Sequence, residues 1–400
     1  MPKKTNTKFE VSIFAQTTFR NEMAPFGIKR ADRREHLYLI GKTGTGKSTL
    51  LETLMVDDLK KRLGFTLIDP HGDLIARIRA RIPEDRIDDV IDFDVPDPKQ
   101  PYGFNPLAKV PAEKRSLAAS GLIQVFKHLW ADSWGPRLEY ILRNCLMSLL
   151  ELPGSTFADI LRILSDTAFR SQVVNAIKNK QVKEFWTKEF NVYPERLRAE
   201  AISPIQNKVG AFLSNTLLEN ILTRPKVTLN LRRIMDEGKI LLVNLAKGAI
   251  GEDTSNLLGS LLISRFDLAA LSRANVAERD RADYTLYLDE FHNFTTQSLT
   301  YMLSELRKYR LGLVLSNQYL TQLTLTIRDA ILGNVGTIIV FRIGAVDAEF
   351  FAREFAPEAN LSDLTNLPNF HIYLRMMING VMSRPFSAVT LPPSEAHAKE

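Results

Sequence analysis

Cysteine is nearly absent from this sequence of 400 residues, which contains Cys145 alone. A single thiol excludes a disulfide framework within the chain, and it excludes a metal site built from cysteine thiolates. Cys145 lies among leucines and isoleucines at helical spacing, so we interpret it as a small core residue. A reducing compartment suits such a chain, and we expect a cytoplasmic protein.

Long hydrophobic runs are also missing. No stretch approaches the roughly 18–20 consecutive apolar residues of a membrane-spanning helix. The chain begins Met-Pro-Lys-Lys and stays polar, without the apolar core of a signal peptide. We therefore expect no intrinsic membrane segment, and any membrane association would come through partner proteins.

The charges of the two signs are nearly balanced. There are 52 Lys and Arg against 46 Asp and Glu, for a formal net charge of +6. Most of this excess lies in residues 109–225, which hold 16 basic and 11 acidic residues. The excess permits a polyanionic partner without identifying one, and it favours the middle segment as the part that meets it.

Short apolar and β-branched runs alternate with helical patterns along most of the chain. Apolar runs of this length are typical of strands that are covered on both faces. The alternation predicts an α/β fold with a doubly wound, mostly parallel sheet. The predicted strands are 36–40, 65–69, 89–94, 239–245, 284–289, 311–316, 337–342 and 371–377, with an extra strand outside this sheet at 9–14.

The segment from 109 to 225 interrupts the alternation. It has no convincing strand pattern, and proline-rich connections flank it. We interpret it as an all-α domain inserted into a discontinuous nucleotide-binding domain formed by residues 1–108 and 226–400. The predicted helices of the insert are 113–130, 136–151, 156–163, 167–190 and 195–222, and the clearest helices elsewhere are 48–63, 256–272 and 297–310.

Residues 41–48 read Gly-Lys-Thr-Gly-Thr-Gly-Lys-Ser and match the P-loop pattern. Glycines let backbone N–H groups surround phosphates, and the start of the following helix adds partial positive charge. We expect Lys47 to reach the β- and γ-phosphates of ATP and Ser48 to bind Mg²⁺. The predicted ATP contacts are Gly41, Thr43, Gly44, Thr45, Gly46, Lys47, Ser48 and Thr49.

An acidic pair, Asp289-Glu290, ends the apolar run that begins at Tyr284. We expect Asp289 to bind Mg²⁺ through its water shell and Glu290 to polarise the water that attacks ATP. Asp69 also ends a strand, but Pro70 follows it and cannot act as a base. Asp69 is therefore interpreted either as a support for the site or as a turn former.

Further site candidates lie near the predicted strand 311–316. Gln318 follows this strand, and we favour it as the residue that senses the γ-phosphate, with a capping amide as the alternative. Transition-state charge on that phosphate needs a cation, which a neighbouring subunit can supply. We favour Arg307 for this role over Arg310, which falls on the packed face of its helix, and over Arg342.

The helical insert combines aromatic and basic residues. Lysines and arginines beside Trp130, Trp134 and Trp186 suit binding of single strands or of a nucleic-acid backbone. The same tryptophans suit a helical core, so this composition alone does not predict nucleic-acid binding.

Five stretches together resemble the HerA/FtsK-type translocating ATPases and, among them, the TraD/TraG-like coupling proteins of conjugation and type IV secretion. They are FGIKRADRREHLYLIGKTGTGKSTLL (26–51), LIDPHGDL (67–74), WGPRLEYILRN (134–144), LYLDEFHNF (286–294) with SELRKYRLGLVLSNQYLTQL (304–323), and GNVGTIIVFRIG (333–344). Many families share the P-loop, whereas IDPHGDL and DEFHNF with a glutamine-bearing strand are much narrower.

The resemblance implies a RecA-like P-loop domain interrupted by an all-α domain, assembled into a ring that is usually hexameric and moves DNA through its pore. It implies that Lys47 and Ser48 form Walker A, that Asp289 and Glu290 form Walker B, and that Gln318 and Arg307 match the family's strand-end glutamine and trans-acting arginine. Membrane-anchored coupling proteins begin with transmembrane helices, so we expect either a soluble relative or a cytoplasmic portion.

Three functions remain open at this stage. The first is an ATP-driven DNA translocase for conjugative or mobile-element transfer, with relaxosome or secretion-system proteins as possible partners. The second is a secretion or pilus motor that acts on protein. The third is a nucleotide-gated scaffold with little turnover, against which the intact Lys47 and Glu290 argue.

Overall fold

A computed structural model describes residues 10–18, 23–108, 110–223 and 227–393. Its strands are β1 Val11–Thr17, β2 Pro25–Lys29, β3 Leu37–Ile40, β4 Gly64–Asp69, β5 Val90–Asp94, β6 Tyr102–Gly103, β7 Val227–Thr228, β8 Ile240–Asn244, β9 Tyr284–Leu288, β10 Leu311–Asn317, β11 Thr337–Val340, β12 His371–Arg375, β13 Met377–Ile378, β14 Val381–Met382 and β15 Phe386–Thr390. Its helices are α1 Arg30–Arg33, α2 Lys47–Lys60, α3 Asp73–Arg79, α4 Arg115–Leu129, α5 Pro136–Glu151, α6 Asp159–Ser165, α7 Thr167–Ala176, α8 Lys180–Glu184, α9 Glu195–Leu213, α10 Thr216–Thr223, α11 Leu231–Asp236, α12 Lys247–Ile250, α13 Glu252–Ser272, α14 Ser298–Glu305, α15 Leu325–Asn334, α16 Ala345–Glu354 and α17 Leu361–Thr365.

The chain forms two compact units. The first unit comprises Met1–Asp94, Arg232–Ala246 and Ala270–Glu400, and the second comprises Val95–Leu231 and Lys247–Ala269. The second unit is thus wider than the predicted insert, since it also takes in the proline-rich entry and most of α13. The sequence prediction placed α13 in the nucleotide-binding domain. A helical pattern shows that a segment is helical, but it does not show which of two cores the apolar side of the helix packs against.

The first unit is built on one large sheet, with the strand order β2-β1-β15-β12-β11-β3-β10-β9-β4-β8-β5 among the described residues. The seven strands from β11 to β5 in this order are parallel to one another. β3, β4 and β10 are buried along their whole length, as expected for strands covered on both faces. The predicted α/β class with a mostly parallel sheet is therefore confirmed.

The other four strands form an antiparallel flank. β1 pairs with β2 and with β15, and β15 pairs with β12, which joins the flank to the parallel strand β11. The prediction that the run at 9–14 lies outside the sheet was therefore wrong for residues 11–14, which belong to β1; Phe9 lies outside the described residues. The pairing of Ala15 with Thr390 joins the two ends of the chain, and no local sequence signal reveals such a distant partner.

Helix α2 is the main contact between the P-loop and the core of this unit. Leu50, Leu51, Leu54 and Met55 are fully buried, in a cluster with Leu37 and other residues of the sheet. Full burial of a leucine contributes roughly 1.5–3 kcal/mol, so this helix is firmly seated on the sheet. A site at its first turn is consequently held by a rigid element.

In its described residues, the second unit has helices and a single short strand pair, β6 and β7. The segment predicted as one helix at 167–190 is divided into α7, α8 and a π-helical turn at Phe185–Glu189, and that predicted at 195–222 is divided into α9 and α10. The cap of Asn179 starts α8, because its side chain accepts the N–H groups of Gln181 and Val182.

Two of the three tryptophans of this unit are core residues. Trp130 and Trp186 are buried, and Trp186 donates a 2.8 Å hydrogen bond to the Ser148 hydroxyl. Trp134 is half-buried and donates to Glu139 at 3.0 Å. The packing interpretation of Trp130 and Trp186 is therefore the one that the structure supports.

No helix in the described ranges is long and apolar enough to cross a membrane.

Candidate functional site

The P-loop connects the end of β3 to the first turn of α2 and requires glycine at specific points. Gly44 and Gly46 have φ angles of 76° and 121°, which glycine adopts at low cost. A β-carbon on Gly46 would lie 2.9 Å from the Phe370 ring, and one on Gly41 would lie 2.5 Å from Phe341 Cβ. The loop is therefore shaped by packing as well as by backbone freedom.

Lys47 is buried at the start of α2. Its Nζ donates to the carbonyl oxygens of Gly41 at 2.6 Å and Lys42 at 3.3 Å, within the loop. Burial lowers the pKa of Lys47, and the charges of Glu290 and Asp289 oppose that effect. The ammonium group thus rests on weakly accepting carbonyls, which a phosphate would outcompete.

The first turn of α2 is suited to an anion. It contains no acidic residue, and among the described residues no side chain caps its free N–H groups. Helix N-termini with free N–H groups attract phosphates. Ser48 and Thr49 are half-buried and Thr43 is exposed, whereas the Thr45 hydroxyl is engaged with the Lys42 carbonyl at 2.7 Å.

The acidic pair follows β9, and both side chains are buried. Burial raises the pKa of Asp289 to about 6, and the negative charges of Asp69 and Glu290 add to this effect. Glu290 has a φ of 45°, an unusual conformation for a residue with a side chain. A buried carboxylate with an elevated pKa and a strained neighbour is typical of a functional site.

Asp69 is a turn former in this structure. Its carboxylate accepts the backbone N–H groups of His71 at 2.8 Å, Leu74 at 3.0 Å and Ile75 at 3.2 Å. These bonds close the turn between β4 and α3. Its charge still reaches the site, because it contributes to the raised pKa of Asp289.

Gln318 follows β10 and contacts the acidic pair directly. Its Nε2 donates to Glu290 Oε1 at 3.1 Å, while Glu290 Oε2 has no hydrogen-bond partner among the described residues. β10 lies between β3 and β9, with Asn317 opposite Ile40 and Leu315 opposite Leu288. The sheet therefore brings the P-loop, Glu290 and Gln318 together at one edge.

Two residues of this site were not singled out from the sequence. His292 Nδ1 lies 3.5 Å from Glu290 Oε2. Gln322, in the loop after β10, contacts the ring of His292 and accepts the backbone N–H of Gln318 in the same loop. Both lie inside the stretches that carry the family resemblance, His292 two residues after Glu290 and Gln322 four after Gln318. The signal available in the sequence for His292 and Gln322 was their short distance along the chain from Glu290 and Gln318.

The three arginines occupy two edges of the sheet. Arg307 precedes β10, is 62% exposed and pairs with Glu35 at 2.6 Å. Arg310 has a φ of 55° and donates to the Arg281 carbonyl at 3.0 Å. Both lie before β10 and Gln318 lies after it, so they are separated by the length of this seven-residue strand, which is about 20 Å.

Arg342 lies on the edge that holds the P-loop. Its carbonyl accepts the N–H of Lys42 at 2.8 Å, and its guanidinium donates to the Leu367 carbonyl at 3.1 Å and to Asn369 at 2.9 Å. These contacts tie Arg342 to the local framework of its own chain.

The donor set fits a nucleotide with magnesium better than a metal ion held by protein alone. In the described ranges no group of three or more His, Cys, Asp or Glu is arranged to hold a metal ion. Mg²⁺ usually takes one or two protein oxygens and completes its shell with water and phosphate. A cleft of about 630 Å³ beside the P-loop, lined in part by Lys42, Thr43 and Gln318, has room for the rest of a nucleotide.

Comparison with known proteins agrees with this arrangement. Residues 24–266, more than half of the chain, match the family model DUF87, described as the central domain of helicase HerA. No protein of curated function matches the sequence. The family match confirms the predicted resemblance to HerA-type ATPases.

Solved structures share the fold at low sequence identity. The bacterial conjugative coupling protein TrwBΔN70 has 18% identity and a TM-score of 0.65 over 94% of this chain and 88% of its own. TrwB in complex with ADP and Mg²⁺ has 18% identity and a TM-score of 0.66, over 94% and 89%. VirB4 of Thermoanaerobacter pseudethanolicus has 13% identity and a TM-score of 0.61, over 95% of each chain. The RecA-like P-loop fold is thereby confirmed.

Proposed function

Since the chain belongs to the DUF87 family, described as the central domain of helicase HerA, we propose that it is a Mg²⁺-dependent ATPase that translocates DNA through an oligomeric ring. The observation that carries this proposal is the meeting of four groups at one edge of the sheet. These groups are Lys47 at the first turn of α2, the pair Asp289 and Glu290, and Gln318 with its 3.1 Å bond to Glu290.

The nucleotide-binding step follows from the P-loop geometry. Phosphates enter the ring of backbone N–H groups, and Lys47 leaves the carbonyls of Gly41 and Lys42 to bind them. The Ser48 hydroxyl and the Asp289 carboxylate would hold Mg²⁺, which would neutralise phosphate charge when bound. TrwB is described in complexes with ADP and Mg²⁺, with an ATP analogue and with a GTP analogue, which supports the same ligand class here.

Hydrolysis needs a base and an orienting group. Glu290 accepts the proton of the attacking water, and Gln318 holds that carboxylate and responds to the γ-phosphate. Glu290 Oε2 is buried and forms no hydrogen bond among the described residues, and the contact with His292 Nδ1 at 3.5 Å leaves it able to accept a water molecule. A buried acceptor in this state costs about 1–3 kcal/mol, which a bound water would relieve.

The ring supplies the remaining cation. Arg307 is exposed and lies about 20 Å from Gln318 of its own chain, so it can serve only the site of a neighbouring subunit. Stabilisation of transition-state charge by such an arginine is worth roughly 10³–10⁵ in turnover. We expect a hexamer, with DNA in its pore and relaxosome or secretion-system proteins as partners.

A protein-handling motor is the second candidate. The match to VirB4 covers 95% of both chains, although it shows the fold alone. Two readouts separate the candidates: whether DNA stimulates ATP turnover, and whether that stimulation falls with salt, as phosphate contacts require.

The test is ATP turnover with and without single-stranded and double-stranded DNA, at low and moderate salt. The variant Glu290→Gln should reduce turnover by about 10²–10⁴-fold, and Glu278→Gln, at an exposed position, should leave it unchanged. DNA stimulation that weakens with salt supports translocation. Robust turnover that ignores DNA supports the protein-handling motor, and absence of turnover in an assembled ring supports a nucleotide-gated scaffold.

A further inference from the structure

Two side chains without a role in the proposed reaction connect Glu290 to the loop after β10. His292 Nδ1 lies 3.5 Å from Glu290 Oε2, and His292 Nε2 lies 3.1 Å from Gln322 Nε2. The side chains of His292 and Glu290 are only 20% and 10% exposed. These contacts are therefore largely shielded from water.

The orientation of the Gln322 amide is determined by its neighbours. Its Oε1 accepts the backbone N–H groups of Gln318 at 3.0 Å and Tyr319 at 3.1 Å. Backbone N–H groups can only donate, so this atom must be the amide oxygen. The amide nitrogen, which can only donate, therefore faces the imidazole of His292.

This orientation specifies the tautomer of the imidazole. His292 Nε2 must accept the hydrogen bond from Gln322, so it carries no proton. The neutral ring then holds its proton on Nδ1, the atom that faces Glu290 Oε2.

We propose that His292 is a positioning residue for Glu290 and that Gln322 sets its tautomer. This inference rests on the proposed function, in which Glu290 is the base. Gln318 holds one carboxylate oxygen by a hydrogen bond, and the Nδ1–H of His292 faces the other at 3.5 Å, as a polar contact and not as a hydrogen bond. Both contacts depend on the loop after β10, because Gln322 holds the ring of His292 and also anchors the backbone of Gln318.

The backbone of Glu290 explains why such restraints are needed. Its φ of 45° is an unfavourable backbone conformation for a residue with a side chain, and it persists only if the surroundings hold it. The Asn293 amide donates to the Glu290 carbonyl at 3.0 Å, and the Glu290 N–H donates to Asp289 at 3.1 Å. These bonds secure the main chain, and His292 and Gln318 secure the carboxylate.

The kinetic test compares His292→Leu, His292→Asn and Gln322→Leu in the full chain. Loss of an outer partner of a reacting group typically costs 10–100-fold, so kcat should fall by about this factor in His292→Leu and in Gln322→Leu. The KM for ATP should stay unchanged, because neither residue contacts the P-loop. His292→Asn, whose amide nitrogen can replace Nδ1–H, should recover most of kcat, and His128→Leu in α4 is the matched control.

The spectroscopic test is independent of turnover. In the ¹⁵N-histidine spectrum of the full chain, the signal that His292→Asn removes should have the Nδ1–H pattern, and Gln322→Leu should change that pattern. An Nε2–H tautomer would overturn the inference. Wild-type kcat in His292→Leu would also overturn it, provided that Glu290→Gln is inactive. If Glu290→Gln is active or the wild type shows no turnover, the proposed function fails, and the tautomer alone decides the inference.

Discussion

Asp289→Asn should make the protein more stable while it abolishes ATP turnover. Burial and neighbouring negative charges raise the pKa of Asp289 from 3.8 to about 6, so the folded chain holds a proton more tightly there than the unfolded chain does. As the pH rises through this interval the unfolded chain releases the proton first, and stability is lost. The difference corresponds to at most about 3 kcal/mol above pH 6.

The assay is denaturant unfolding at pH 8 in EDTA, with the exposed Asp132→Asn as the control. Asp289→Asn should raise the free energy of unfolding by up to about 3 kcal/mol, and the gain should shrink below pH 6 and vanish near about pH 3, where the wild-type carboxyl is largely protonated in both states. ADP with Mg²⁺ should stabilise the wild type more than the variant, because Asp289 is an expected ligand of the ion. A destabilised variant at pH 8 would refute the reasoning.

Further predictions concern four other positions. Burial lowers the pKa of His36 to about 4. The stability that the neutral ring contributes is therefore present above pH 6.5 and is lost as the pH falls towards 4. In denaturant unfolding, the wild type should lose roughly 2–3 kcal/mol more stability than His36→Asn between pH 7.5 and 4.5. Arg307→Ala and Lys47→Ala should each be inactive alone. Mixing the two variants should recover part of the ATP turnover, because at some subunit interfaces an intact Arg307 then meets a site with an intact Lys47. No recovery would contradict action of Arg307 in trans. Gly46→Ala should weaken nucleotide binding measured by calorimetry by at least about tenfold, because the loop cannot accept a β-carbon, whereas Gly248→Ala, with open space around it, should bind normally.

The central part of the site could be predicted because its signals are local. The P-loop is one continuous motif between a strand and a helix, and Asp289 and Gln318 follow recognisable buried strands. Parallel strands present their carboxyl ends at one edge, which is why residues that follow separate strands lie near one another. The bond between Gln318 and Glu290 is a detail that the structure adds.

The antiparallel flank and the extent of the helical unit could not be predicted in the same way. β1 pairs with β15 across almost the whole chain, and β15 alternates in burial without a strong apolar run. Membership of α13 depends on which core its buried side faces, a tertiary property. The contact of His292 with Gln322 likewise depends on two loops that meet in the folded chain. Neither a histidine nor a glutamine at these positions predicts such a contact.

The central claim, ATP-driven movement along DNA, is tested most directly by displacement of a third strand from a DNA triplex. With ATP and Mg²⁺ the assembled wild type should displace the strand, and the variants Lys47→Ala and Glu290→Gln should not. Displacement should stop when ATP is replaced by a non-hydrolysable analogue. ATP turnover that is stimulated by DNA but displaces no strand, or displacement that persists in Glu290→Gln, would contradict the account.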